Sequence, residues 1–259
     1  MGDREDAIPP NVTYIPNYTQ PMVCLVIPAL NEEAAIASVI QSVPRDIVDQ
    51  IFVVDNGSTD ATAAEARRAG ATVVCVPVRG YGRACRAGVI AALKAGATIV
   101  AFIDGDGSDC PEFMPQIVGP ILEGEYDFVI GSRVRGQREP GSMNPQQLLA
   151  GFLTGWLIRL LYGVRYTDMS PFRAIRAELL PELDLREETY GWNLEMQMLV
   201  AYRKLRILEI SVDHRVRRGG ESKVSGTFRG TVVAGYRILL TFARVALAGA
   251  CRRRTRTST

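Results

Sequence analysis

The chain of 259 residues contains a single histidine, His214, and this scarcity excludes several kinds of catalytic site. Serine hydrolase triads and most zinc sites depend on histidine, so neither is expected here. Five cysteines are scattered without the spacing of a metal site, which favours free thiols in a reducing compartment. A net charge of only +2 gives no indication of nucleic-acid binding.

Long apolar runs are also missing. No uncharged run reaches the roughly 18–20 residues that span a bilayer, so no transmembrane segment is expected. The first twenty residues are polar and acidic and contain proline, which is unlike a signal peptide and predicts a loose tail. No motif recurs every 20–50 residues, as it would in a repeat fold. Together with a hydrophobic content of 47%, these features predict a globular protein of the cytoplasm.

What the sequence does have is an alternation of strand and helix patterns from Met22 to about residue 130. Strands are predicted at residues 22–27, 51–54, 72–76, 98–103 and 126–130. Helices are predicted at about 31–43, 59–69, 83–95 and 113–122. Asn31, and Ser58 or Thr59, are the expected helix caps. The strands are apolar throughout, as in a sheet covered by helices on both faces. The pattern predicts an α/β fold with a Rossmann-like, mostly parallel sheet.

The second half is less regular. Pro140, Gly141 and Pro145 mark a break in the pattern, and residues 146–162 form a long apolar helix candidate with one charge. A dense polar-aromatic segment, a helix candidate, a strand pattern and a last apolar helix candidate follow at residues 168–176, 188–204, 207–212 and 231–250. Residues 251–256 are strongly basic.

The fourth strand pattern ends at two aspartates one residue apart, Asp104 and Asp106. Side chains two apart in an extended chain point to the same side, and Gly105 and Gly107 let a ligand approach the backbone. Ligands of open α/β sheets bind beyond the carboxyl ends of strands. The pair therefore suits Mg²⁺ or Mn²⁺ that also contacts substrate phosphates. An ordinary acidic turn is the alternative, because Asp and Gly are common turn residues.

Other loops with polar groups follow the carboxyl ends of the first three strands, and a parallel sheet brings all of them to one edge. Asp55 can accept hydrogen bonds from a nucleobase, and the backbone of Pro28 and Ala29 can line the same slot. Arg83, near a helix N-terminus, can meet a phosphate. Turn and cap chemistry is the alternative for Asp55. Residues 80–82 lack the full glycine fingerprint of a dinucleotide site.

Three motifs in this order, at residues 26–32, 53–60 and 104–106, resemble glycosyltransferase family 2, whose members have the GT-A fold. Later motifs at residues 131–133, 168–173 and 220–223 resemble the branch that acts on polyprenyl phosphates, typified by dolichol-phosphate mannose synthase. The resemblance extends over roughly residues 22–226.

This resemblance implies a GT-A catalytic domain over residues 21–226, after a flexible tail at 1–20. Residues 21–133 would hold a UDP- or GDP-sugar, and residues 134–226 would hold the acceptor. Residues 227–259 would form an amphipathic helix and a basic tail.

The resemblance also assigns roles on the donor side. Asp55 would contact the base, Asp104 the nucleotide, and Asp106 the Mg²⁺ or Mn²⁺ ion. Ser108 stands where the dolichol enzyme has a further metal ligand, usually glutamine, and its shorter side chain would reach the ion through water. The implied donor site comprises Pro28, Ala29, Glu32, Asp55, Arg83, Asp104 and Asp106. The implied metal ligands are Asp104, Asp106 and Ser108.

On the acceptor side, the resemblance implies a cationic site for a lipid phosphate. That site comprises Arg133, Asp168, Arg173, Glu195, Arg218, Ser222 and Lys223. Arg133 joins Asp104 and Asp106 as the residues expected to act in catalysis. Solvated surface charge is the alternative for Arg218, and a helix-surface acid is the alternative for Glu195. One departure weakens the acceptor assignment: residues 143–148 lack the basic residue that the dolichol enzyme uses there.

The expected reaction is a metal-dependent, inverting transfer of a hexose, glucose or mannose, to a polyprenyl phosphate at the cytoplasmic membrane face. A phosphate monoester is largely dianionic at neutral pH, so it needs little help from a general base. The main alternative is a soluble enzyme with a small phosphorylated acceptor, resembling glucosyl-3-phosphoglycerate synthase. A nucleotidyltransferase would need a Gly-rich, Lys-bearing loop after the first strand, which is missing. A non-enzymatic membrane module would not need the acid pair.

Membrane contact is expected through residues 231–250, where Arg237, Thr241 and Arg244 share one helical stripe and the other faces are apolar. Such a helix can lie in the interface with its arginines on anionic headgroups, and the protein would then be peripheral at the inner face. Residues 146–162 are a second candidate. A buried core helix or a dimer interface is the alternative, and homo-oligomerisation is left open.

Overall fold

The computed structural model describes residues 21–219 and 240–246. The strands of the described chain are β1 (Val23–Ala29), β2 (Gln50–Asp55), β3 (Thr72–Cys75), β4 (Ile99–Phe102), β5 (Phe128–Ser132), β6 (Arg173–Arg176) and β7 (Ile207–Ser211). The α-helices between these strands are α1 (Ile36–Ser42), α2 (Thr62–Arg68), α3 (Tyr81–Lys94), α4 (Met114–Leu122), α5 (Pro145–Tyr162), α6 (Leu180–Leu183) and α7 (Trp192–Tyr202). Residues 240–246 are also helical.

One sheet joins these strands in the order β3-β2-β1-β4-β6-β5-β7. Neighbouring strands are parallel except at β6, which runs antiparallel to both β4 and β5. Every residue of β1, β4 and β5 is buried. Helices α1, α2 and α4 pack on one face of the sheet, and α3 and α7 pack on the other. The predicted mostly parallel α/β sheet with helices on both faces is confirmed.

The predicted helix caps are wrong. Helix α1 begins at Ile36 rather than near Asn31, and α2 begins at Thr62 rather than after Ser58 or Thr59. The side chains in question tie the loops after β1 and β2 to each other instead. The Oδ1 atom of Asn31 accepts the Thr59 N–H at 2.8 Å, and Ser58 Oγ accepts the Asn31 N–H at 3.0 Å. This cross-linking gives the carboxyl edge of the sheet a fixed rim.

Strand β6 lies inside the segment predicted only as polar and aromatic. Arginines at both of its ends, Arg173 and Arg176, hide the apolar pattern that usually indicates a strand. Because β6 inserts between β4 and β5, the predicted boundary at residue 133 falls within one continuous sheet. The division into a donor half and an acceptor half stays a functional prediction.

The last predicted helix is described only at residues 240–246. Thr241 and Val245 are buried there, and Val245 belongs to the core on the α7 face of the sheet. The remainder of that helix, the basic tail and residues 1–20 lie outside the described residues. In the part of the chain that the structure covers, no helix combines the length and apolar character needed to cross a membrane.

Candidate active site

A cavity of about 660 Å³ opens at the carboxyl edge of the sheet. Its walls come from the loops after β1 to β5, from the start of α5 and from the segments at residues 189–190 and 214–217. A volume of this size falls within the usual range of small-molecule sites, roughly 300–1,000 Å³. The expected convergence of strand-end loops therefore produces an open cleft large enough for a nucleotide sugar.

The acid pair lies in this cavity together with Ser108. The hydroxyl of Tyr81 donates a hydrogen bond to Asp104 Oδ1 at 3.1 Å. Asp106 Oδ1 accepts two hydrogen bonds from Ser108, from the backbone N–H at 2.9 Å and from Oγ at 2.6 Å. Both carboxylates therefore have fixed positions on the cavity wall, and Ser108 braces Asp106.

A cation of the protein already faces Asp106. The Arg217 Nη2 atom is 3.1 Å from Asp106 Oδ2 and 3.1 Å from Glu32 Oε1. Glu32 lines the cavity, as do Pro28 and Ala29. Arg217 thus joins the loop after β1 to the loop after β4 across the cavity.

Burial of carboxylates dominates the electrostatics of the site, and repulsion between them adds to it. Burial and the nearby carboxylates of Asp109 and Asp106 raise the pKa of Asp104 from 3.8 to about 8. Burial also raises the pKa of Asp109 to about 7. The Oδ1 atom of Asp109 is buried and has no hydrogen-bond partner among the described residues. Added positive charge beside these acids would relieve their repulsion.

The residues present fit a divalent cation that a substrate helps to bind. Asp104 and Asp106 offer the hard oxygen atoms that Mg²⁺ and Mn²⁺ prefer. Within residues 21–219 and 240–246, no group of three or more His, Cys, Asp or Glu side chains is arranged to hold a metal ion. Mg²⁺ commonly binds through one or two carboxylates, with water and phosphate oxygens completing its shell.

Two residues predicted for the donor site do not line the cavity. Asp55 Oδ1 accepts the Ser58 N–H at 3.1 Å, which is the turn chemistry considered as its alternative. The guanidinium of Arg83 forms an ion pair with Glu188. Their neighbours Asn56 and Arg79 line the cavity instead. The amide of Asn56 holds the loop after β3 at the cavity, because it donates to the carbonyls of Val76 and Val78 and accepts the Gly80 N–H.

Among the predicted acceptor residues that the structure describes, only Arg133 lines the cavity. Its guanidinium forms two hydrogen bonds with Asp168, which is itself buried. Arg173 is also buried, where its Nη2 donates to Asn193 at 2.5 Å and its guanidinium lies 5.2 Å from the centre of the Phe102 ring. The geometry therefore gives an acceptor contact by Arg173 no support.

Two further acceptor candidates, Arg218 and Glu195, form hydrogen bonds with the backbone of other segments. Arg218 donates its N–H to the Asp106 carbonyl at 3.0 Å, and its side chain packs on Gly107. Glu195, expected to orient the acceptor, accepts the N–H groups of Arg186 and Glu187 at 2.9 and 2.6 Å. The last two candidates, Ser222 and Lys223, lie outside the described residues.

The polar stripe of the last helix faces the protein. Thr241 Oγ1 donates to Glu187 at 2.7 Å, and Arg244 Nη2 lies 2.9 Å from Glu195. The described part of the stripe is thus bound by Glu187 and Glu195 within the protein, and contact of Arg244 with lipid headgroups stays a prediction. Arg237 lies outside the described residues.

Several cavity residues were not predicted. His214, the single histidine of the chain, is buried on the cavity wall and pairs through the backbone with Asp109. Asn144 and Gln147 cap α5 reciprocally at 2.8 and 2.9 Å, which fixes the start of that helix at the cavity. A capping pattern predicts a helix start, but nothing in it predicts which cavity the helix borders. The other unpredicted lining residues include Asn56, Arg79, Tyr81, Thr189 and Tyr190.

Comparison with known proteins adds the context of relatives. Residues 24–184 match the model of Glycosyl transferase family 2. An uncharacterised glycosyltransferase of Mycobacterium tuberculosis is 37% identical over 214 residues, which cover 82% of this chain and 94% of the relative. A dolichyl-phosphate hexose transferase of Haloferax volcanii is 33% identical over 227 residues, which cover 86% and 94%.

The fold also matches a solved structure. Glucosyl-3-phosphoglycerate synthase of Mycobacterium tuberculosis, crystallised with Mn²⁺, UDP-glucose and phosphoglyceric acid, superposes with a TM-score of 0.67 at 27% identity. The match covers 87% of this chain and 80% of the synthase. The predicted fold class is thereby confirmed.

Proposed function

Since the chain belongs to glycosyl transferase family 2 and is a glycosyltransferase, we propose that it transfers a hexose from a nucleoside diphosphate sugar to a polyprenyl phosphate. Glucose and mannose are the proposed sugars, and UDP and GDP the proposed carriers. The reaction takes place at the cytoplasmic face of a membrane, to which the protein binds peripherally.

One observation supports this reaction above the others. Asp104 and Asp106 both line a cavity of nucleotide-sugar size at the carboxyl edge of the sheet. When bound to these carboxylates, Mg²⁺ or Mn²⁺ would supply positive charge that stabilises the departing diphosphate. The relative crystallised with Mn²⁺ and UDP-glucose supports the same class of donor.

The proposed reaction needs little proton transfer by the protein. An oxygen of the dianionic acceptor phosphate attacks the anomeric carbon on the face opposite the diphosphate. A new carbon–oxygen bond to the acceptor forms while the bond to the diphosphate breaks, so the configuration inverts. Arg133, Arg79 and Arg217 line the cavity and can bind the phosphate groups. The protein thus acts chiefly through positioning and charge.

An exposed apolar face on α5 favours a lipid acceptor. Phe152, Trp156 and Leu160 are 67%, 56% and 68% exposed, and their spacing places them on one side of the helix. Leu149 and Leu153 widen the same face. We call these five residues the α5 apolar face.

The α5 apolar face is placed to receive a lipid. Helix α5 begins at the cavity wall, where Asn144 and Gln147 cap it. Between residues 141 and 167 the only charged side chains are Arg159 and Arg165. A positively charged, apolar surface suits an anionic bilayer. The name of the archaeal dolichyl-phosphate hexose transferase supports the same class of acceptor.

A second candidate is transfer to a small phosphorylated acceptor. It is favoured by the similarity to the synthase crystallised with phosphoglyceric acid. It leaves the α5 apolar face without a role.

A partition assay tests the proposal. The protein is incubated with Mg²⁺ or Mn²⁺, radiolabelled UDP- or GDP-hexoses, and either undecaprenyl phosphate or 3-phosphoglycerate, and the products are then extracted with organic solvent. Label in the lipid phase supports the proposal, whereas label only in a phosphoglycerate product supports the second candidate. Asp106→Ala should abolish transfer, and Glu123→Ala, which removes an exposed acid at the C-terminal end of α4, should not. Absence of transfer to either acceptor would overturn both.

A further inference from the structure

The segment at residues 186–191, between α6 and α7, forms one wall of the cavity through Thr189 and Tyr190. Helix α3 supports it from one side, where the Arg83 N–H donates to the Glu188 carbonyl at 3.0 Å. A side chain at Gly82 would place its Cβ only 2.0 Å from the Glu187 carbonyl oxygen. The segment therefore lies directly on the start of α3, beside the Tyr81 that contacts Asp104.

Helix α7 supports the segment from a second side. The buried Glu195 carboxylate accepts the backbone N–H groups of both Arg186 and Glu187 through Oε2. Glu187 folds back over the segment, and its Oε1 accepts the N–H and the hydroxyl of Thr189 at 3.1 and 2.6 Å. Each acid uses one oxygen atom to shape the segment, and its second oxygen faces the last helix.

The last helix supplies the partners of those second oxygen atoms. Thr241 Oγ1 donates to Glu187 Oε2 at 2.7 Å, and Arg244 Nη2 is 2.9 Å from Glu195 Oε1 and 3.5 Å from Glu187 Oε2. A Cβ on Gly191 would lie 2.4 Å from Thr241 Oγ1, so helix and segment are in close contact. Without Arg244, two carboxylates would face each other in a largely buried place.

We propose that Arg244 and Thr241 are positioning residues, which hold residues 186–191 against the start of α3 and so set the affinity of the cavity for a nucleoside diphosphate with its metal ion. The choice of ligand rests on the proposed function. The effect passes through the segment to Thr189, Tyr190 and Tyr81, and neither Arg244 nor Thr241 lines the cavity. The last helix, which is distant in sequence from every strand-end loop, thereby becomes part of the donor site.

The test uses the full chain and two independent measurements. Arg244→Ala should weaken binding of Mn²⁺ with UDP or GDP by roughly tenfold in calorimetry, a loss of about 1.4 kcal/mol. The amides of Arg186 and Glu187 should exchange with deuterium faster, because Glu195 loses its partner. Arg244→Lys should restore most of the affinity, and the donor KM should rise far more than kcat falls.

Matched variants separate positioning from general stability. Arg203→Ala removes an ion pair to Glu182 at the end of α7, away from the cavity, and should lower stability without changing nucleotide affinity. If Arg244→Ala does not fold, Thr241→Val replaces it in the test, because this variant keeps the ion pairs of Arg244. Thr241→Val should weaken the affinity for Mn²⁺ with UDP or GDP about threefold.

Each outcome is decisive. Unchanged exchange at residues 186–191 in Arg244→Ala or Thr241→Val would overturn the proposal whatever the nucleotide result. Faster exchange with unchanged affinity in a wild type that binds UDP or GDP would also overturn it. A wild type that binds neither nucleotide would instead overturn the proposed function, and with it the assigned ligand.

Discussion

The carboxylate of Asp168 accepts two hydrogen bonds from the guanidinium of Arg133, at 2.7 and 2.8 Å, and a third from the Arg133 backbone N–H at 3.0 Å. Because Asp168 is buried, this bidentate pair fixes the direction of Arg133 at the cavity wall. The carboxylate of Asp168 thus neutralises part of the positive charge that Arg133 presents to the cavity. Arg133 is therefore better suited to orient a bound phosphate than to attract one from solution.

We expect Asp168→Asn to damage both stability and activity. The change breaks a largely buried ion pair by removing the charge of Asp168, and breaking such a pair typically costs about 3–5 kcal/mol. Urea unfolding should show this loss, and kcat should fall at least tenfold because Arg133 is no longer aligned. In contrast, Glu182→Gln breaks the more exposed pair with Arg203 and should cost less than about 1 kcal/mol. A fully stable and active Asp168→Asn would contradict this account of Arg133.

Asp104→Asn should stabilise the metal-free protein while removing its activity. The folded state raises the pKa of Asp104 from 3.8 to about 8, so it binds the proton more tightly than the unfolded chain does. Stability is therefore lost as pH rises through that interval, and the wild-type carboxylate is most costly above pH 8. Asparagine keeps an acceptor for Tyr81 and carries no charge.

The measurement is thermal unfolding in EDTA at pH 5.5 and pH 8.5. At pH 8.5 the free energy of unfolding of Asp104→Asn should exceed that of the wild type by roughly 2 kcal/mol, which corresponds to several degrees in Tm. This difference in stability should be smaller at pH 5.5. Transfer by the variant should fall by at least a hundredfold. Equal stability of the two proteins at pH 8.5 would show that the folded site does not penalise this charge.

The positions of Asp104 and Asp106 are of the kind that a sequence pattern can predict. Asp104 and Asp106 follow an apolar strand directly, so strand periodicity and sheet topology were enough to place them at the edge. Asp55 was predicted by the same logic, yet Asn56 lines the cavity. Strand periodicity fixes a strand end only to within one residue, and a shift of one residue reverses the direction of a side chain.

Contacts between distant segments could not be predicted in this way. Arg217 reaches Glu32 across 185 positions in the chain, and Arg244 reaches Glu195 across 49. Nothing local to either arginine indicates its partner, since Arg217 lies in a short basic run and Arg244 lies on the polar stripe of an otherwise apolar helix pattern. Their positions follow from the packing of whole elements on the sheet.

Metal and nucleotide should bind cooperatively. Asp104 and Asp106 supply only part of a coordination shell, and the phosphates of the donor would complete it. Calorimetry should show weak binding of Mn²⁺ alone and at least a tenfold gain in affinity once UDP or GDP is present. Asp106→Ala should remove the gain, and Glu123→Ala should keep it. Tight binding of Mn²⁺ to the protein alone would indicate a complete protein site and refute this expectation.

The α5 apolar face should determine how the protein binds to lipid. Burying Phe152 and Trp156 in a bilayer is worth roughly 1.5–3 kcal/mol each, so replacing both by serine should lower binding to anionic vesicles by well over tenfold. Leu122→Ser removes an apolar residue of α4, away from the α5 apolar face, that is 42% exposed, and it should leave vesicle binding intact.

Transfer to a polyprenyl phosphate embedded in vesicles should fall together with vesicle binding. Transfer to a short-chain, water-soluble prenyl phosphate should not, because the cavity is unchanged. If the double variant still sediments with vesicles as the wild type does, membrane contact must come from another surface; if both transfers fall together, α5 serves the cavity itself.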